Sequence, residues 1–227
     1  MGRALFVGGV GTEVGKTYVS ALIVKKLRAL GRRVGYFKPA ASGGDRDATG
    51  ALYSIDARFV RDFSGLDEEM TACPFSYERA VSPHLAAQIE GRPFEEEVAR
   101  RAFDASLAAC DYLVVEGCGG LYCPLRWDAN ARILLYELVK RWSLPCLLVA
   151  DSGLGTINAT SLSAALLHRE EIPLVGLVFN RFDASDAMRV DGARVASELS
   201  RAPIFARVGE GDVELDVDPD ALAALFR

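Results

Sequence analysis

Near the start of the chain, Gly9-Val10-Gly11-Thr12-Glu13-Val14-Gly15-Lys16-Thr17 combines glycines, a lysine and a threonine in an order suited to binding phosphate. A glycine-rich turn lets several backbone N–H groups face one anion, and a helix that follows adds the positive end of its dipole. Lys16 is then placed to reach the β- and γ-phosphates of a nucleotide, and the Thr17 hydroxyl to hold Mg²⁺. The spacing departs from G-x4-G-K-T, because Val10 stands where the first glycine belongs and the glycines fall at 9 and 11. The flanking elements support the reading all the same. Ala4-Leu5-Phe6-Val7 is an apolar strand, and Tyr18 to Leu30 carries the apolar period of a helix.

Four more residues with useful chemistry stand where apolar runs end. Lys38 follows Val34-Gly35-Tyr36-Phe37, Glu116 follows Tyr112-Leu113-Val114-Val115, Asp151 follows Cys146-Leu147-Leu148-Val149-Ala150, and Asn180 closes the run from Leu174. In a parallel α/β sheet, ligands gather beyond the C-terminal ends of the strands. Glu116, before Gly117-Cys118-Gly119-Gly120, is a carboxylate beside open backbone, where a phosphoryl-transfer enzyme keeps a Mg²⁺-linked acid. For Lys38 and Asp56 the residues alone leave alternatives. Lys38 could simply mark where the chain meets water, and Asp56, at a helix start, could be an N-cap.

Alternating strands and helices carry these groups. Helices are expected over Asp56 to Phe63, from Ser82-Pro83 to about Gln88, Phe94 to Cys110, Ile133 to Trp142, Gly153 to His168, Met188 to Leu199 and Pro219 to Phe226. Ala40 to Ala51 reads as a loop, as does the stretch through Pro74, and Ile204 to Ala206 as a short last strand. Near-continuous apolar strands alternating with helices imply an α/β fold, a doubly wound, mostly parallel sheet with helices on both faces. With no repeat and no low-complexity linker, residues 1–227 read as a single domain.

The formal net charge of −5 argues against nucleic acid as the main partner. No apolar run approaches the ~20 residues of a membrane span, and no signal-peptide pattern precedes the first strand, so a cytoplasmic protein is expected. The five cysteines are scattered, with no C-x-x-C pair, and the two histidines lie far from Cys118 and Cys123. Free thiols are expected, not a zinc site.

Taken in order, Thr12 to Thr17, Lys38-Pro39 with Ser42-Gly43, Asp56-Ala57, Ser82-Pro83-His84, Val115-Glu116-Gly117-Cys118-Gly119-Gly120 and Gly153-Leu154-Gly155-Thr156-Ile157-Asn158 resemble the dethiobiotin synthetase family from residue 4 to about residue 206. The resemblance implies an ATP- and Mg²⁺-dependent cyclo-ligase of biotin biosynthesis on a P-loop NTPase fold. Its substrates would be 7,8-diaminononanoate, CO₂ and ATP, joined through a carbamate and a carbamic–phosphoric anhydride into a cyclic urea.

The same resemblance implies site residues. Glu13, Val14, Gly15, Lys16, Thr17 and Tyr18 would take the nucleotide, with Thr17, Asp56 and Glu116 on Mg²⁺. Lys38 would be the catalytic lysine with Lys16 and Thr12, and Ser42 a substrate contact. Gly117, Cys118 and Gly119 would line the space between nucleotide and diamine, and Asn180 would meet adenine. Gly153, Leu154 and Asn158 would reach the substrate carboxylate across a homodimer.

Departures from the family are Val10, Gly11 and Cys118, and a tail from Val208 to Gly211 without the expected proline-containing adenine loop. Two rivals share parts of the pattern. Partition ATPases carry an extra lysine where this chain has Gly11, and cobyrinate-type amidating synthetases need a glutaminase for which this chain has no room.

Overall fold

The computed structural model describes residues 2–227. Seven strands form one sheet: β1 (Arg3–Gly9), β2 (Val34–Phe37), β3 (Thr71–Ala72), β4 (Tyr112–Glu116), β5 (Cys146–Asp151), β6 (Leu174–Asn180) and β7 (Ile204–Val208). Their spatial order is β7-β6-β5-β1-β4-β2-β3. Each pairing is parallel, so the sheet expected to be mostly parallel is parallel throughout. β1 lies between β4 and β5, and the chain leaves it in one direction and returns on the other. That reversal opens a crevice at the C-terminal end of β1, where the glycine-rich loop sits.

The helices are α1 (Lys16–Ala29), α2 (Ile55–Ser64), α3 (Pro83–Ile89), α4 (Glu96–Ala109), α5 (Leu135–Arg141), α6 (Thr156–Arg169), α7 (Ala187–Ser200) and α8 (Pro219–Ala224). Strand periodicity divides the core in two. Leu5, Val7, Tyr36 and Val114 face α1, α2 and α8, while Phe6, Phe37, Leu113 and Val115 face the layer that includes α4, α5, α6 and α7. With both faces covered, the strands can be apolar at nearly every position.

Several boundaries differ from expectation. Helix α1 begins at Lys16, two residues early, because Gly15 at φ 93° supplies the left-handed turn that admits the helix. The expected loop 40–51 contains a small antiparallel pair, Asp45–Arg46 with Leu52–Tyr53. The expected helix from Ile133 starts at Leu135, since Arg132–Leu134 pairs with Pro124–Trp127. Strand β3 falls in a stretch read as loop. Elements of two to four residues are too short to carry a period, so the strand they pair with decides them. Among the described residues, no helix is long and apolar enough to cross a membrane.

Candidate active site

The register of the central strands explains how the charges meet. Tyr36 on β2 lies beside Val114 on β4. Two residues further, Lys38 and Glu116 leave their strands on that same face, the face covered by α1. Helix α2 adds Asp56 from above. Its N-cap is Ser54, whose hydroxyl accepts from the Ala57 N–H at 3.2 Å. The cap alternative for Asp56 is thereby removed, and its carboxylate turns into the crevice.

The result is a compact charged cluster. The Lys38 ammonium donates to Asp56 Oδ2 at 2.5 Å and to Glu116 Oε1 at 2.6 Å. The Thr17 hydroxyl donates to Glu116 Oε1 at 2.8 Å and lies 3.3 Å from Asp56 Oδ1. The other oxygen of Glu116, Oε2, accepts from the Tyr36 hydroxyl at 2.9 Å. Glu116 and Tyr36 are inaccessible, and Lys38 is 3% exposed. Lys16 is also buried and donates to the Gly11 carbonyl at 2.8 Å.

Burial opposes the charge on Lys38, but the Glu116 and Asp56 carboxylates more than offset it and raise its pKa. Burial likewise pushes Asp56 upward, and the Lys38 ammonium outweighs it, so Asp56 stays below the usual carboxylate range. Lys16 moves the other way. Burial, then repulsion from Lys38, lowers its pKa, which leaves a cation in need of a counterion. Burial, then the Glu116 charge, raises the Tyr36 phenol and keeps it a donor.

Around this cluster opens a cavity of about 940 Å³. Thr12, Glu13, Gly15, Lys16, Thr17, Tyr18, Lys38, Ser42, Asp56, Glu116, Cys118 and Gly119 all line it. The remaining expected residues lie elsewhere. Val14 is buried behind the loop, and Gly117 sits below the cavity, donating from its N–H to the Val7 carbonyl at 3.0 Å. Asn180 donates to the Val14 carbonyl at 3.2 Å, so it braces the phosphate loop from behind. Gly153, Leu154 and Asn158 line a separate groove of about 530 Å³ with Met188 and Leu199.

Other lining residues carried no signal that singled them out. Arg181 adopts φ 52°, pairs with Asp151 and donates to the Glu13 carbonyl at 3.1 Å, tying the loop to the β5 and β6 ends. It follows Asn180 directly, so the strand-end rule that selected Asn180 passes within one residue of it. Cys123 faces the cavity, and the neighbouring Cys118 thiol lowers the Cys123 pKa. All five cysteines are free. Ile55, Phe59, Val81 and Pro83 add an apolar rim. The Tyr18 hydroxyl donates to the Asp212 carbonyl, drawing the 209–212 turn onto α1.

Thr17, Asp56 and Glu116 make a suitable donor set for Mg²⁺. One neutral and two anionic hard oxygens converge where a cation, the Lys38 ammonium, already sits. Two carboxylates are too few for an all-protein cage, and Mg²⁺ characteristically takes one or two, completing its shell with water and substrate phosphates.

A family model described as an AAA domain matches residues 3–212. Among curated proteins, the ATP-dependent dethiobiotin synthetase BioD of Brachyspira hyodysenteriae is 37% identical over 217 residues, covering 95% of this chain and 96% of the relative. That of Clostridium botulinum (strain 657 / Type Ba4) is 34% identical over 206 residues, 90% of each chain. Among solved structures, a ParA family ATPase from Chlorobium tepidum superposes with a TM-score of 0.58 at 14% identity, over 99% of this chain and 89% of that one. The MinC:MinD cell division complex of Aquifex aeolicus gives 0.56 at 16%, over 98% and 86%. At such identities the structural likeness speaks for the fold alone.

Proposed function

This chain belongs to the ATP-dependent dethiobiotin synthetase family within the AAA-domain proteins, and from that premise we infer the reaction its site performs. The protein is an ATP-dependent cyclo-ligase that converts 7,8-diaminononanoate and CO₂ to dethiobiotin. The observation that carries the reading is the meeting of Lys38, Thr17, Asp56 and Glu116 beside the Lys16 loop in one cavity. The fold is shared with partition ATPases, but Gly11 stands in place of their extra lysine, and the curated relatives are synthetases.

The chemistry needs two anions, a carbamate and ATP, to approach. In water they repel, and a fixed cation between them reverses the sign. Lys16 is the phosphate partner: its lowered pKa records a buried charge that an incoming phosphate would satisfy better than the Gly11 carbonyl does. Lys38 is the catalytic lysine on the carbamate side, and its raised pKa keeps it cationic at any working pH. Thr12 and Ser42 bind the diamine from the cavity wall, and Cys118 and Gly119 border the gap. Thr17, Asp56 and Glu116 would hold Mg²⁺, which when bound would neutralise charge on the transferring phosphoryl group. The tethered second amine then closes the ring with a large proximity advantage.

Glu13 to Tyr18 bind the nucleotide. Having given one N–H to Val14, Asn180 keeps an N–H and its amide oxygen for an adenine edge. The active form is a homodimer. Leu154, 93% exposed, heads an apolar face with Leu199 and Met188, and a second copy would cover it. From there Gly153 and Asn158 serve the partner's substrate carboxylate. We read residues 1–227 as one domain and place the protein in the cytoplasm, where five free thiols persist.

The test is incubation with MgATP, bicarbonate and 7,8-diaminononanoate. Phosphate release that depends on the diamine, with dethiobiotin found by mass spectrometry, is the expected result. Release at the same rate without diamine overturns the assignment.

A further inference from the structure

Among the described residues, the buried hydroxyl of Tyr36 has one hydrogen-bond partner. Tyr36 is at zero exposure within the apolar cluster that includes Leu5, Val7, Leu22 and Val114, where phenylalanine would fill the same space without a polar atom to satisfy. A buried hydroxyl without a partner is costly, so a tyrosine at such a position demands an acceptor. Here the acceptor is Glu116 Oε2 at 2.9 Å.

The two oxygens of Glu116 are thereby assigned different work. Oε1 faces the cavity and meets Lys38 at 2.6 Å and Thr17 at 2.8 Å. Oε2 faces the sheet interior and meets only the phenol among the described side chains. The difference comes from register: Tyr36 pairs with Val114, one step behind Glu116 on the same face, so its long side chain reaches the carboxylate from below. A carboxylate without this anchor could rotate about its last bond, presenting either oxygen or both. With it, the plane is fixed and one oxygen is offered.

We propose that Tyr36 is a positioning residue for the divalent cation of the reaction, holding Glu116 as a one-oxygen ligand and thereby favouring Mg²⁺ over Ca²⁺. The proposal rests on the reading that Thr17, Asp56 and Glu116 hold the metal. Mg²⁺ demands a near-octahedral shell of single oxygens, whereas Ca²⁺ accepts bidentate carboxylates and variable geometry. Groups that orient a ligand from behind are commonly worth 10–100-fold in metal affinity. Releasing Oε2 should therefore weaken the smaller ion more than the larger.

The experiment is Mn²⁺ titration followed by electron paramagnetic resonance, in the presence of ADP, on the wild type, Tyr36→Phe and Glu116→Gln, with Mg²⁺ and Ca²⁺ as competitors. Tyr36→Phe keeps the ring, and thermal unfolding verifies its fold. For it we expect Mn²⁺ and Mg²⁺ to bind about 10-fold more weakly, with Ca²⁺ losing less and ADP affinity without metal unchanged. In turnover, half-saturation should need more Mg²⁺, while kcat at saturating Mg²⁺ changes little.

The two assignments fail separately. Unaltered metal affinity in Glu116→Gln overturns the metal site itself. Weakened affinity in Glu116→Gln, with Tyr36→Phe matching the wild type in affinity and in Ca²⁺ preference, overturns the role of Tyr36. A Tyr36→Phe protein that loses only thermal stability gives the phenol a structural role and also overturns it.

Discussion

The turn after β1 and the turn after β5 both leave a buried strand through a left-handed glycine and enter a fourteen-residue helix without a side-chain cap. Gly15 has φ 93° and ψ 23°, and Gly155 has φ 94° and ψ −7°. Their surroundings are opposite. Around the first, β2, β4 and α2 bring Lys38, Glu116 and Asp56 to a helix that starts with Lys16 and Thr17. Around the second, the neighbours are Leu154, Met188 and Leu199, largely open to solvent. A glycine turn at a helix N-terminus provides N–H groups and a dipole in both cases. What suits one of them to phosphate is the charge supplied by other strands. The second turn, with its groove open, is suited to serving a neighbouring copy.

The two turns differ most in the cations gathered at the first. Lys16→Gln and Lys38→Gln should each reduce turnover by ~10²–10³, the loss typical of one well-placed electrostatic donor. Lys38→Gln also leaves Glu116 and Asp56 facing each other without a cation, so its unfolding temperature should fall unless Mg²⁺ is added. Single-turnover kinetics with a parallel thermal melt separate the two effects. Near-normal turnover in Lys38→Gln would remove its assigned role.

The glycines sharpen the contrast, since the same substitution meets different neighbours. At either position alanine must adopt a left-handed backbone, costing ~1–3 kcal/mol. At Gly155 a new Cβ finds nothing within 4 Å, so strain is the whole cost. At Gly15 it would lie 2.0 Å from Asn180 Nδ2, which must then leave the Val14 carbonyl. A buried hydrogen bond lost in that way adds about 1–3 kcal/mol. Chemical denaturation should therefore show Gly15→Ala markedly less stable than Gly155→Ala, with ADP binding weakened only in the former. Equal losses would mean that Asn180 does not brace the loop.

At the apolar turn the sensitive residue is Leu154. Leu154→Asp places a charge on the face proposed to meet a second copy, and an interfacial anchor is worth about 2 kcal/mol or more. Self-association measured by sedimentation should weaken about 30-fold, with activity lost on dilution and the monomer's fold intact. A wild type that sediments as a monomer at all concentrations would detach this turn from the reaction.

How much of this was legible in the residues depends on whether a local signal existed. The glycine-rich turn between strand and helix was readable despite Val10, because its flanking elements follow in order. Glu116 and Lys38 were readable because a charge ending an apolar run must emerge at the sheet edge. Asp56 was readable only through the family resemblance, since an acid two residues into a helix looks the same whether it faces water or Lys38. The deciding fact was that Ser54 takes the cap. Tyr36 offered a faint signal, sharing a strand face with Lys38, but an apolar strand gives no reason to single out one tyrosine. The antiparallel pair at 124–134 and the two-residue β3 were illegible for other reasons. The first is a local hairpin whose strands of four and three residues, with a register shift, are too short and irregular to show a period. The second pairs with β2, about 35 residues back, which no short window contains.

The smallest expected effect concerns pH and tests whether the charged cluster is held together in the free protein. Asp56 has a folded pKa below its unfolded value because the Lys38 ammonium outweighs the burial that pushes it up. A carboxylate depressed in this way contributes stability above its unfolded pKa and loses it as the pH falls through the folded value. Lys38, raised in the fold, contributes fully below the ordinary lysine range and keeps its charge throughout the acid limb. Acidification from about pH 5 downward should thus remove the Asp56 contribution alone from this pair. Thermal melts of the wild type and Asp56→Asn should converge as the pH falls through that window. Because Asp56 is partly open to solvent, the gap between them should also narrow with added salt. Parallel curves with a constant gap would place the Asp56 contribution in packing, and the charged cluster would then be assembled by the sheet register without help from its own ion pair.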